Sequence, residues 1–125
     1  MIRVELANRS GLAVDEDAVE ALCRRVLAAE GVGEGDLGVH LEPPERIRQL
    51  KREHLGIDEA TDVLSFPIDG REALPAGVPR QLGDVVLCPE VVRAAWRQPL
   101  VHGLLHLLGY DHGAAMSERE QELAR

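Results

Sequence analysis

The sequence predicts an α+β fold: one domain over residues 1–125, with a mixed sheet of about four strands and helices packed on it. Three observations predict it. Two segments of strand-like alternation near the N-terminus are each followed by a segment with helical spacing. Two more strand-like segments then follow one another with only a turn-rich excursion between them, which makes them neighbours in the same sheet. A chain of 125 residues with 45% hydrophobic side chains can bury about two-thirds of its unfolded surface, so folding needs neither a disulfide nor a structural metal.

In order, Ile2, Val4 and Leu6 alternate with Arg3 and Glu5, which predicts a half-buried strand. Asp15 is an N-cap, with Glu16 and Asp17 suiting the positive end of the helix that follows. Ala18, Leu22, Val26 and Ala29 recur at helical spacing, and Gly31 closes that helix. Leu37, Val39 and Leu41 form a second strand, with His40 on its opposite face as a surface residue. Pro43 and Pro44 open a helix whose apolar side is Ile47 and Leu50 and which ends by Gly56. Residues 61–67 read as a strand and 69–81 as a Gly- and Pro-rich loop. Residues 82–88 form the most apolar strand and the predicted centre of the sheet. Pro89 starts a short helix through Trp96, Pro99 breaks it, and a further helix runs from about Leu100. Ser117-Glu118-Arg119-Glu120 reads as a capping box for a last helix.

The chemistry concentrates in residues 101–113, VHGLLHLLGYDHG. His102 and His106 are four apart, so a helix presents both imidazoles on one face. Gly109 can end that helix, and the turn through Tyr110 and Asp111 lets His112 fold back toward the first two. Three imidazoles with a fourth position left open is the layout of a catalytic zinc site. The bland alternative, histidines satisfied in a core, is harder to hold for two imidazoles on a Val-, Leu- and Gly-rich helix, because each would need a buried partner. The spacing also matches the protease signature H-E-x-x-H-x-x-G-x-x-H at every position but one. Gly103 stands where a protease carries its general base, so the metal cup is retained and the peptidase chemistry is disfavoured.

Charge and cysteines narrow the class further. A net charge of −8 argues against a general nucleic-acid binder. The distribution qualifies this: residues 43–54 hold Arg46, Arg48, Lys51 and Arg52 against two glutamates, and residues 71–98 hold four arginines against three acids. A local basic rim or a merely solvated face both fit. Cys23 and Cys88 are too few and too far apart for a framework and read as free buried thiols. There is no N-terminal apolar leader and no apolar run near 18 residues, so a cytoplasmic protein is expected, with no membrane association.

Three stretches, TDVLSFP (61–67), LGDVVLCPE (82–90) and VHGLLHLLGYDH (101–112), resemble the YbeY family of bacterial metal-dependent endoribonucleases. Weaker likeness runs through most of the chain. The resemblance implies a zincin-related fold and one zinc ion per chain held by His102, His106 and His112, which are thereby the catalytic residues. It implies single-stranded RNA as substrate, the 3′ end of 16S rRNA as the favoured target, and a role in ribosome quality control beside the small subunit or its proteins. Thr61, Asp62, Ser65, Phe66 and Asp84 match strands beside the family's cleft and, with Arg52, are candidate RNA contacts; Asp62, Ser65 and Asp84 suit a role in tying down loop backbone equally well. The chain departs from the family in three ways. Leu55 stands where members commonly carry an arginine, so Arg52 or another cation would have to offset charge on phosphate. Ala60 replaces a usual proline. The segment before Val101 is short, as is the C-terminal tail. A second reading, a zinc-bearing ribosome-associated factor that binds RNA or protein without cutting it, stands beside the nuclease.

Overall fold

In the computed structural model, which describes residues 1–125, four strands form one mixed sheet in the order β1-β2-β4-β3. β1 (Ile2–Asn8), β2 (Gly35–Leu41) and β4 (Gln81–Leu87) run parallel, and β3 (Val63–Pro67) pairs antiparallel with β4 at the edge. The register sets Val4 opposite Leu37, Val39 opposite Val85 and Ser65 opposite Val85 on its other side. Five helices complete the fold: α1 (Glu16–Ala29), α2 (Pro44–Leu55), α3 (Pro89–Val92), α4 (Arg97–Leu107) and α5 (Ala114–Leu123). The α+β class with a four-stranded mixed sheet is as the sequence predicts. None of the helices is long and apolar enough to cross a membrane.

Local chemistry explains the elements. The Asp15 carboxylate accepts the Ala18 N–H at 3.0 Å and caps α1. Val19, Leu22, Cys23, Val26 and Leu27 then bury one stripe of that helix, the i, i+3, i+4, i+7 pattern of an amphipathic helix. Alternate residues of β2 are buried, whereas central β4 buries Leu82, Val85, Val86 and Leu87 on both faces. The main core joins α1, α4 and α5 to β1, β2 and β4. Leu100, Leu104 and Leu105 of α4 are wholly buried in it, each contributing about 1.5–3 kcal/mol of hydrophobic stabilisation. A smaller cluster of Ile47, Leu64, Val86 and Cys88 packs α2 on the other face. Glu30, at the end of α1, accepts hydrogen bonds from Arg71 (2.6 Å) and Arg119 (2.7 Å) and so ties α1 to the loop after β3 and to α5.

The structure differs from the sequence expectation in four places. The third strand begins at Val63 because the Asp62 carboxylate accepts the Val63 N–H at 2.8 Å, leaving Thr61 and Asp62 as the approach to the strand. The helix expected through Trp96 stops at Val92; a 3-10 turn over Arg93–Ala95 follows, entered with Arg93 at φ +49°. Pro99 does not interrupt α4 but sits in its first turn, where a missing N–H leaves nothing unpaired. Finally, α5 begins at Ala114, so Ser117 lies inside the helix and Ser117-x-x-Glu120 is not a capping box. The Ser117 N–H already donates to the Gly113 carbonyl at 3.0 Å, which frees the Glu120 side chain for another partner.

Candidate metal centre

Helix α4 carries two imidazoles on the side that lines a cleft beside β3. The adjoining side of the helix packs closely on the sheet at 103: a Cβ there would lie 2.9 Å from Val85, 3.0 Å from Val63 and 3.1 Å from the Ser65 hydroxyl, so these side chains would have to give way. The Ser65 hydroxyl donates to the Gly103 carbonyl at 2.8 Å and pins this contact. Position 103 therefore faces the sheet and has no room for the glutamate that peptidase chemistry needs. Past the helix end, Gly109 adopts φ +93°, a left-handed conformation that turns the chain and brings His112 back over α4.

The three histidines converge through Nε2. That of His106 lies 3.1 Å from Nε2 of His102 and 3.1 Å from Nε2 of His112. One ligating atom from each of the three falls within 4.8 Å of the others, and together they could hold a metal ion. The far sides of two rings are tied back. His102 Nδ1 donates to the Glu120 carboxylate at 2.6 Å, and His106 Nδ1 donates to the Tyr110 carbonyl at 3.0 Å. Both partners only accept, so the proton sits on Nδ1 and the Nε2 lone pair faces the cup. Burial, reinforced by the neighbouring His102 and His112, pushes the His106 pKa below its usual value and keeps the ring neutral. The His102 and His106 lone pairs face one another 3.1 Å apart and would be relieved by a cation between them, and three imidazoles suit zinc, nickel, copper or iron. The two thiols are not rivals for this role. Both are buried, and burial pushes Cys23 up to about 12 and raises Cys88.

The cup opens into a cleft of about 690 Å³ whose walls include Thr61, Ser65 and Phe66. A second hollow of about 750 Å³ lies on the other side of His102, with Asp62, Arg97, Gln98 and Glu120 in its wall. Two candidates lie elsewhere. Arg52 lines neither space and stands 3.7 Å from Asp58. Asp84 accepts a hydrogen bond from His40 Nε2 at 2.9 Å on the α2 face of the sheet, because its neighbours Gly83 and Val85 take the α4 side. Leu55 is 59% exposed and lines the metal cleft, so the position of the missing arginine does face the cup. The cation in that wall is Lys51, with Nζ 2.9 Å from Glu59. The structure adds Glu120, Lys51, His54 and Tyr110 to the surroundings of the site. Glu120 is 18 residues from His102 on a different helix, a separation that carries no local signal.

Comparison with known proteins agrees with this geometry. Residues 5–125 match the family described as Endoribonuclease YbeY. The chain is 40% identical to the Endoribonuclease YbeY of Salinispora tropica, over 94% of this chain and 87% of that protein. It is 34% identical to that of Chloroflexus aurantiacus, over 96% and 92% of the two. A solution structure of a protein from Thermotoga maritima superposes with a TM-score of 0.59 at 26% identity, covering 99% of this chain and 87% of that one. A near-full-length family match, 34–40% identity to these two relatives and a shared fold lead to one conclusion: the chain belongs to the YbeY family of endoribonucleases, enzymes whose substrate is RNA.

Proposed function

We propose that the chain hydrolyses phosphodiesters of single-stranded RNA at the three-histidine cup, with one zinc ion held by His102, His106 and His112. The observation that carries this reading is the convergence of three Nε2 atoms at the floor of an open cleft, with two of the rings held from behind by Glu120 and the Tyr110 carbonyl. Zinc bound there would supply a Lewis acid for a phosphoryl oxygen and bring the pKa of water toward 7. The protein's own part is positional and electrostatic. Glu120 and Tyr110 fix two ring tautomers, Lys51 supplies positive charge in the cleft wall, and Asp111 is the one carboxylate in that wall. By the likeness of residues 61–67, 82–90 and 101–112, the target is the 3′ end of 16S rRNA, in the cytoplasm and beside the small ribosomal subunit or its proteins, in rRNA maturation and ribosome quality control.

Leu55 favours the second reading, a zinc-bearing factor that binds RNA or a ribosomal protein without cutting, because no guanidinium reaches the cleft from that position. One experiment separates the two. Zinc-loaded protein, the His106→Ala variant and a chelated sample are each incubated with end-labelled single-stranded RNA. Cleavage by the first alone supports the nuclease. Equal lanes, together with retained RNA binding, support the binding factor.

A further inference from the structure

The chain has one Phe, one Tyr and one Trp, and two of these three lie in the wall of the metal cleft. Phe66 is joined there by His54, with ring centroids 4.9 Å apart and planes inclined by 62°. The base of Phe66 rests on the Ile47, Leu64, Val86 and Cys88 cluster, whereas the His54 ring is exposed. The pair is thus anchored below and open above. The same two rings also line a groove of about 720 Å³ beneath α2, so they form a ridge between that groove and the metal cleft. Arg46, Leu50 and His54 are spaced by four along α2 and all line the groove, a run of about 12 Å. Within it Arg9 is paired with Glu42 and His40 with Asp84, but Arg46 bonds only the side-chain amide oxygen of Gln49.

The charge balance bears on how a strand could be held. The chain carries −8 overall, and Lys51 in the cleft is already paired with Glu59. Phosphate contacts cannot therefore carry most of the affinity for an anionic polymer. Aromatic faces can, because every nucleobase has a π-face and stacking tolerates any sequence. Resting on the reading of the cup as an RNA-cleaving centre, we propose that the His54–Phe66 ridge is a nucleobase-stacking subsite, over which a single strand passes from the three histidines into the groove beneath α2, where one phosphate meets Arg46. Binding is then dependent on bases, tolerant of their order and only weakly dependent on salt.

The test uses the His106→Ala chain, in which one ring of the cup is removed so that binding is read without cleavage, and a labelled single strand of about nine nucleotides. His54→Ala and Phe66→Leu should each weaken binding by about 5- to 100-fold. His54→Trp, which enlarges the π-face, should preserve or tighten it. The exposed His54 is the decisive position, since its truncation removes only its edge contact with Phe66 and leaves the buried cluster untouched. A walk of single abasic sites along the strand should find a position where loss of the base costs the same factor, and that cost should vanish in His54→Ala. Arg46→Ala should leave the abasic effect intact and reduce the slope of log affinity against log salt by about 0.7. Cleavage of the same strand by the zinc-loaded wild-type chain is measured in parallel. If that chain cuts the strand while the His54, Phe66 and abasic changes leave binding unaltered, the ridge is not the subsite, the cleavage reading stands, and the groove is left for a protein partner. If the wild-type chain neither binds nor cuts the strand, the reading beneath the proposal fails and the proposal fails with it.

Discussion

Truncating Glu120 to alanine should weaken zinc binding without unfolding the protein. Its carboxylate receives two hydrogen bonds, from His102 Nδ1 at 2.6 Å on one oxygen and from the Gln98 amide at 2.8 Å on the other. With its side chain 12% exposed, the group is held in one orientation and is partly shielded from water. Carboxylates that support a metal-ligating histidine from behind are worth about 10- to 100-fold in affinity, or about 1.4–2.7 kcal/mol. The short, charge-assisted contact puts the Glu120→Ala loss in the upper half of that range. Glu120→Gln keeps an acceptor oxygen for the imidazole N–H and should lose less than about tenfold. The assay is competition for zinc between the protein and a chromophoric chelator at neutral pH, with the thermal midpoint of the metal-free chain measured alongside. Zinc binding by Glu120→Ala within about twofold of wild type would refute the supporting role. So would a fall in metal-free stability as large as the loss of zinc affinity, since Glu120 would then serve only to pack α5 on α4.

Three other contacts lead to measurable outcomes. Gly103→Ala should destabilise by about 1–2 kcal/mol in urea unfolding, because overpacking against Val63 and Val85 exceeds the roughly 1 kcal/mol that alanine adds to a helix; Gly103→Glu should be less stable still and should not digest casein. In the cleft wall, Lys51→Ala should lower kcat/KM on single-stranded RNA by about tenfold or more at unchanged zinc content, and Leu55→Arg should raise it; an unchanged rate in both would remove charge in that wall from the mechanism. Burial raises the Glu30 pKa, but hydrogen bonds from Arg119 and Tyr110 and the charges of Arg119 and Arg71 outweigh it, so the net shift is below the ordinary 4.5. The stability this contributes is present above pH 4.5 and is lost as pH falls through the depressed value. Glu30→Gln should therefore be less stable than wild type by about 1.5–3 kcal/mol at pH 7, with the gap closing in acid; a gap that persists when Glu30 is protonated would assign the loss to packing.

Much of this protein is legible in the local chemistry of its sequence. The Asp15 cap and the stripe from Val19 to Leu27 need only one helix to be recognised, and the alternation of Leu37, Val39 and Leu41 needs only one strand. The cup is similarly local: two histidines one helical turn apart and a glycine able to turn left-handed lie within eleven residues. The absence of a peptidase base is visible as Gly103, but the reason a base cannot be restored there is not, since it depends on Val63 and Val85 in two other strands. Tertiary structure alone decides the support behind the histidines. The sequence presents Ser117-x-x-Glu120 as a helix start, and only the packing of α5 on α4 turns Glu120 toward His102. It likewise sends Asp84 to the α2 face of the sheet and brings His54, far from the histidines in sequence, to the wall of their cleft. Periodicity and spacing report what lies within one turn or one strand. Contacts between elements are set by how the sheet and helices pack, and the sequence distance between their residues does not record them.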